Sequence, residues 1–304
     1  MKVVQFSEYG APEVLQVAEA PVPATPSGAV RVRVRAAAVN PADTKWRAGL
    51  FRTMSDIQLP HVVGYDIAGE IEAIGDGVGG LSLGDRVFAK LDPVTKGGYA
   101  EYVVLPASSA VPMPVELDFA TAAAIPTAGL TGTQMIESYA QPEIGAVVLV
   151  TGAVGAVGRF AVLAARKRGL RVVGAVKPAQ ADEARALGVD DVLLLGAPSW
   201  EGPAFDVVLD TIGGAAAGQL CRHLAPGGRI FTAATTPIEA PSLATTPVFV
   251  MIQGDPARLA DLARAVAAKE ISIPIARRLP LDRAAEAHRL VEAGGTGGKV
   301  ILEP

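Results

Sequence analysis

Val147-Val148-Leu149-Val150-Thr151-Gly152-Ala153-Val154-Gly155-Ala156-Val157-Gly158 is the stretch that decides the fold. Its first five residues are β-branched or leucine and read as a buried strand, and the glycines that follow mark a turn. Residues 159–168 continue as a helix. The spacing Ala153-x-Gly155-x-x-Gly158 predicts, in order, a tight turn, a point where backbone can approach a pyrophosphate, and a close contact of helix with strand. Backbone N–H groups from Ala153 and Val154 through Gly155, Ala156, Val157 and Gly158 are then candidates to hold phosphates at a helix start.

Downstream, strand and helix alternate. Residues 171–176 read as a strand, 179–187 as a helix, 206–210 as a strand, 214–224 as a helix, 229–232 and 247–252 as strands and 256–269 as a helix. That order implies parallel βαβ units. In dinucleotide-binding folds the end of the second strand selects the cofactor: an acidic residue binds ribose hydroxyls, a cation accepts a 2'-phosphate. Here the chain reads Val173-Gly174-Ala175-Val176-Lys177, with no acidic residue before Asp182. Gly174 and Lys177 are therefore assigned to the nucleotide, and NADPH is expected over NADH. Ile212 and Gly213, and Ala233 and Ala234, follow the next two strands, and the carboxyl ends of parallel strands are where dinucleotides lie.

Upstream, short β-branched runs at 30–34, 67–74, 86–90 and 99–105 are separated by glycine and proline and predict a compact antiparallel β domain. The tail predicts a helix over 283–293 with Asp282 as its N-cap, then a glycine-rich stop and a strand over 299–302 that returns to the first domain. The expected division is 1–117 with 270–304 for the β domain and 118–269 for the nucleotide domain.

Composition excludes several classes. Half of the 304 residues are hydrophobic, so a membrane span has to be considered. The charge-free stretch 119–136, however, holds Pro126, two glycines and four threonines, which a spanning helix disfavours. The start of the chain lacks the apolar core and cleavage site of a signal peptide, so a cytoplasmic location is expected. A formal net charge of -4 without a basic run argues against nucleic acid. Cys221 is the single cysteine, which rules out an internal disulfide and a four-cysteine zinc site.

With these features in place, the chain resembles the medium-chain dehydrogenase/reductase superfamily and, within it, the zinc-independent quinone oxidoreductases related to zeta-crystallin. The resemblance rests on Asn40-Pro41-Ala42-Asp43-Thr44-Lys45-Trp46-Arg47-Ala48-Gly49, Gly64-Tyr65-Asp66-Ile67-Ala68-Gly69, Gly84-Asp85-Arg86-Val87 and Gly97-Gly98-Tyr99-Ala100-Glu101-Tyr102. It continues with Pro126-Thr127-Ala128-Gly129-Leu130-Thr131, the glycine turn and Gly298-Lys299-Val300. It implies an α/β protein, a GroES-like antiparallel β domain joined to a Rossmann domain with a doubly wound parallel sheet. Where zinc-dependent relatives carry a cysteine and a Gly-His-Glu histidine, this chain has Asn40 and Tyr65, and residues 89–96 are only a short connection where the structural-zinc lobe would stand. No metal is expected. Without one, the substrate must accept hydride readily, as quinones and conjugated enones do.

The resemblance also implies roles. Asn40 would bond the nicotinamide ribose and line the pocket, although Asn-Pro equally favours an Asx turn. Lys45 stands where zeta-crystallin-like members usually have tyrosine and is similar to the alkenal and enone reductase branch, where lysine contacts the substrate carbonyl; a surface lysine is the other reading. Tyr65 is either a phenolic donor to substrate or a packed strand residue. Asp43 would order its loop, and Asp66 would tether backbone or Lys45. Thr127 would lie near the nicotinamide, and Lys299 is counted with the cofactor residues. Phe249 and Val250 match a strand that passes the carboxamide and pairs with its copy in a homodimer; a core strand fits them as well. Two departures are Leu195, where relatives often have a tyrosine beside the adenosine ribose, and Ala233-Ala234-Thr235-Thr236, where they have an asparagine- or serine-rich loop. The leading expectation is an NADPH-dependent reductase of quinones or α,β-unsaturated carbonyls. The alternatives are an enoyl-thioester reductase of fatty-acid or polyketide synthesis and, from another class, an NADPH-binding structural or RNA-binding protein.

Overall fold

The computed structural model describes residues 1–53, 57–95, 97–197 and 199–304. Two compact units divide the chain, 1–127 with 254–304 and 128–253.

In the first unit, β1 (Lys2–Phe6), β2 (Gln16–Glu19) and β3 (Ala29–Val39) precede the short helix α1 (Pro41–Arg47). Then come β4 (His61–Val62), β5 (Asp66–Ile74), β6 (Arg86–Lys90), β7 (Tyr102–Pro106), β8 (Val111–Pro112) and helix α2 (Phe119–Ala124). Strand β3 shows why the sheet forms. Val30, Val32 and Val34 are buried, while Arg31 and Arg35 alternate with them and pair across the ladder with Glu72 and Glu70 of β5. Beyond Arg35 the strand becomes Ala36-Ala37-Ala38-Val39, buried throughout, which carries its end into the core.

Helix α3 (Pro126–Gln134) leads into the second unit and passes into a π-helical turn, Met135–Ala140. There β9 (Val147–Thr151), helix α4 (Ala156–Lys167), β10 (Arg171–Val176), helix α5 (Ala181–Ala186) and β11 (Asp191–Leu194) follow in order. They are succeeded by β12 (Phe205–Asp210), helix α6 (Gly214–Leu220), β13 (Leu224–Thr232) and β14 (Val248–Phe249). All six strands are parallel in the order β11-β10-β9-β12-β13-β14, the dinucleotide-binding order whose direction reverses between β9 and β12.

Helix α7 (Pro256–Ala267) returns the chain to the first unit, where β15 (Ile275–Pro280), helix α8 (Ala284–Ala293) and β16 (Lys299–Glu303) complete it. β16 pairs antiparallel with β3 and parallel with β15, closing the sheet β15-β16-β3-β5-β6-β8, on which β7 also pairs with β3.

Three local expectations need correction. Helices α2 and α7, which the change of texture assigned to the nucleotide half, belong to the first compact unit. Asp282 lies inside a 3-10 turn and does not cap α8, whose N-cap is Arg283. The expected strand over 247–252 pairs only at Val248 and Phe249. No helix among the described residues is long and apolar enough to cross a membrane.

Candidate functional site

In the first unit a set of polar side chains is buried where the end of β3, the start of β5, α1, β16 and the start of α3 converge. Asn40 is the N-cap of α1, with Pro41 pre-set for the first helical position. The carboxylate of Asp43, three residues on, accepts the Asn40 N–H at 2.7 Å. The Asn40 side chain turns away from its own helix. Its Nδ2 donates to Asp66 Oδ2 at 3.0 Å, and its Oδ1 accepts from Lys299 Nζ at 2.5 Å. Lys299 Nζ also reaches the Val39 carbonyl at 3.3 Å. The amide orientation therefore follows from chemistry, with oxygen toward the ammonium and nitrogen toward the carboxylate.

Asp66 is fully buried at the head of β5 and is held by Thr127, whose N–H lies 3.0 Å from Oδ2 and whose Oγ1 donates to Oδ1 at 2.7 Å. Of the two tethers expected of Asp66, backbone is observed. Lys45 is not among its partners. The Lys45 side chain, in the last turn of α1, is partly exposed and makes no hydrogen bond or ion pair with any described residue.

Burial and charge set the protonation states. Asp43 is pushed up to about 8, by desolvation first and by the neighbouring Asp66 charge, against the Asn40 N–H, Lys299 and the Tyr99 hydroxyl. Asp66 is raised by desolvation, against Lys299 and the hydrogen bonds from Thr127 and Asn40, and Lys299 is lowered by its own burial. Tyr99 Oη lies 3.3 Å from both Asp43 Oδ2 and His288 Nε2. Burial, aided by the Arg47 charge, pushes His288 down to about 3, so its imidazole is neutral near pH 7. Tyr65 is 5% exposed, and its hydroxyl is buried with no hydrogen-bond partner. Desolvation and the charges of Asp43 and Asp66 raise it well above the usual phenol range.

These shifts predict a pH profile. A carboxyl whose folded pKa is raised stabilises fully below its unfolded pKa of 3.8, and that contribution is lost as pH rises to about 8. A histidine whose folded pKa is depressed contributes above 6.5, and that contribution is lost as pH falls toward 3. The two oppose each other between about 4 and 6.5, so a fall in stability is expected from pH 6.5 to 8, where Asp43 acts without His288. Urea unfolding of the Asp43→Asn variant should show that fall flattened; an unchanged slope would remove Asp43 as its cause.

In the second unit the glycine turn supplies a different geometry. Gly152 takes φ +62°, so the left-handed residue lies one position earlier than the spacing assigned it, and Ala153 is buried with its methyl 3.1 Å from where a Cβ on Gly174 would stand. Gly155 is the exposed N-cap of α4. A Cβ on Gly158 would stand 2.2 Å from the Gly152 carbonyl, so only glycine lets the helix approach this closely. Val154 is buried, while Ala156 and Val157 are partly exposed at the helix start. Their N–H groups, in the first turn, lack intrahelical acceptors and suit an anion. Arg159 Nε holds the Val154 carbonyl at 2.8 Å, and its guanidinium pairs with Glu183, fastening the turn.

The remaining expected cofactor residues separate. Lys177 is exposed directly after β10. Ile212, Ala233 and Ala234 are partly exposed at the ends of β12 and β13, and Gly213 beside them takes φ +67°. Gly174 lies inside β10, packed against Val189 and Ala153. Val250 is a core residue and Phe249 is 40% exposed on the edge strand β14. Lys299 spends its ammonium on Asn40 and Val39 within the first unit. Sequence reasoning missed Asp210, buried at the end of β12 with four donors around it.

Comparison with known proteins places this architecture. Residues 26–115 match the family model described as alcohol dehydrogenase GroES-like domain, and residues 187–302 match the one described as zinc-binding dehydrogenase. The quinone oxidoreductase of Pseudomonas aeruginosa is 31% identical over 100% of this chain and 99% of its own length, and that of Rattus norvegicus is 30% identical over 99% and 97%. Among solved structures, an NAD-dependent alcohol dehydrogenase superposes with a TM-score of 0.90 at 32% identity, covering all of both chains. A mycobacterial protein complexed with NADPH gives 0.83 at 28% identity with the same coverage. Fold and relatives together define a medium-chain dehydrogenase/reductase, an oxidoreductase. Within that class the chain belongs to the zinc-independent quinone oxidoreductase family.

The zinc named by one family description finds no matching donor set among the described residues. Among the described residues no group of three or more His, Cys, Asp or Glu side chains can hold a metal ion, and the Asn40 amide is engaged at both ends.

Proposed function

We propose that this chain is an NADPH-dependent reductase of quinones or α,β-unsaturated carbonyls that works without zinc. The observation that carries the reading is the Tyr65 hydroxyl, buried without a partner within the field of the Asp43 and Asp66 carboxyl groups. An unpaired buried hydroxyl costs on the order of 1 to 3 kcal/mol, which a substrate oxygen accepting its hydrogen bond would recover. Bound NADPH supplies a hydride to an electron-poor carbon. The chain's own task is then to stabilise the oxygen on which charge develops, and the Tyr65 hydroxyl and the Lys45 ammonium are the donors proposed for it. Asn40, held in one orientation, is proposed to receive the nicotinamide ribose, with Thr127 fixing the same corner through Asp66. The turn 152–158 is proposed to take the pyrophosphate, and a quinone or enone is the proposed small-molecule partner.

Steady-state NADPH oxidation with a quinone, an enone and an enoyl thioester tests this. Turnover of quinone or enone supports it. Turnover of the thioester alone selects the synthetic-pathway alternative, and binding of NADPH without turnover of any selects a non-catalytic role.

Lys177 is proposed to accept the 2'-phosphate, a reading supported by its exposure after β10 and by the relative bound to NADPH. Because a hydrogen bond to a charged group contributes roughly 1.5 to 3 kcal/mol, Lys177→Ala should weaken NADPH at least about tenfold and leave NADH nearly unchanged. Equal losses for the two cofactors, measured by fluorescence titration, would reject the assignment.

A homodimer is proposed through β14, the edge strand of the parallel sheet, where Val248 and Phe249, and Met251 just beyond them, are each 40% exposed or more. Sedimentation at micromolar concentration should give twice the 31.1 kDa chain mass, and a monomer would refute it.

A further inference from the structure

We propose that Asp210 is a positioning residue that sets the nicotinamide half of the dinucleotide site; this rests on the reading of the second unit as holding NADPH. The carboxylate is fully buried, and none of its four hydrogen-bond donors is a basic side chain. Oδ1 accepts the Thr151 hydroxyl at 2.9 Å and the N–H groups of Ile212 and Gly213 at 3.1 and 3.0 Å. Oδ2 accepts the Thr232 hydroxyl at 2.8 Å. One side chain thus joins the carboxyl ends of β9, β12 and β13, three neighbouring strands at the point where the sheet order reverses.

Each of those bonds passes to a loop. The Ala234 N–H donates to Thr232 Oγ1 at 3.0 Å, so the Asp210–Thr232 bond fixes the backbone after β13. The Thr211 N–H donates to Thr151 Oγ1 at 2.9 Å and Thr211 Oγ1 donates to the Thr151 carbonyl at 2.7 Å, so the same anchor joins the turn after β12 to the residue before Gly152. Gly213 is held at φ +67°, where a side chain would also collide with the Thr236 carbonyl 2.1 Å away. A buried carboxylate with no counter-cation is costly, and an apolar residue would fill this space more simply. What the carboxylate adds is four donors gathered on one group, fixing Ile212, Gly213 and Ala234, while the glycine turn and Lys177 lie on the adenosine side.

The test separates the two halves. Wild type, Asp210→Ala, Asp210→Asn and Thr232→Val are titrated calorimetrically with NADPH and with 2',5'-ADP, which carries the adenosine phosphates but no nicotinamide. The loss of a charged acceptor predicts NADPH weakened about tenfold or more in Asp210→Ala and about fivefold in Thr232→Val, with 2',5'-ADP held within about twofold in both. Asp210→Asn keeps an acceptor on the Oδ1 side, and the Thr232 hydroxyl can reverse to accept from the new amide, so it should recover most of the NADPH affinity. Should Asp210→Ala fail to fold, the isosteric Thr232→Val carries the test. Equal weakening of both ligands, or of neither, overturns the proposal alone. A wild type that binds neither ligand overturns the dinucleotide reading and this proposal with it.

Discussion

Exchange of Lys45 for methionine is expected to lower kcat for a conjugated enone about a hundredfold while NADPH affinity stays within about twofold, since one preorganised donor to a developing oxyanion carries roughly that factor. Lys45 stands in the last turn of α1, whose N-cap is Asn40, and its ammonium has no partner among the described residues. An ammonium without an internal partner is available to a ligand, whereas the neighbouring Arg47 is already committed to Glu292 and the Thr44 carbonyl. Methionine keeps the length and apolar stem of lysine and has a similar helix propensity, so α1 is little disturbed. A quinone is more electrophilic than an enone and should lose less, making the enone-to-quinone ratio the sensitive quantity. Stopped-flow and steady-state rates for the two substrates check this. Unchanged enone turnover with an unchanged ratio would make Lys45 a solvated helix residue and leave Tyr65 as the donor.

Signals that are local in sequence were readable in advance. The run Val147–Thr151, the glycines after it and the helix beyond need no distant residue to be recognised, and the alternation of valine with arginine from Val30 to Arg35 displays a half-buried strand. The misses have physical causes. Spacing assigned the tight turn to Ala153 because the pattern is written in residue types, whereas the left-handed backbone belongs to Gly152. The strand β15 carries two arginines on a sheet edge and shows no clean alternation, so nothing separated it from a loop. Asp210 ends a strand like many aspartates, and its importance depends on hydroxyls 59 and 22 residues away. The surroundings of Lys299 were hidden for the same reason. A lysine beside a glycine near the end of the chain gives no local sign of its contact with Asn40, 259 residues away.

That contact makes Lys299→Met the most destabilising single change expected in the first unit. Lys299 is the cation facing two buried carboxyl groups, Asp66 and Asp43, and it also supplies the donor for Asn40 Oδ1. Removing one partner from a buried charged set leaves the others uncompensated, at a cost of about 3 to 5 kcal/mol. Methionine fills most of the space, so the loss would be electrostatic rather than a cavity effect. Two consequences distinguish a brace from a cofactor ligand. First, the loss should appear in urea unfolding without any nucleotide present. Secondly, Asp66→Asn in the same chain should recover part of it, because the amide removes the charge that Lys299 had compensated and can still accept from Thr127. With Lys299 gone, Asp43 should hold its proton more firmly, moving the upper end of the stability decline to higher pH. If Lys299→Met leaves unfolding unchanged and weakens only NADPH binding, the lysine belongs to the nucleotide, and Asn40 is oriented by Asp66 alone.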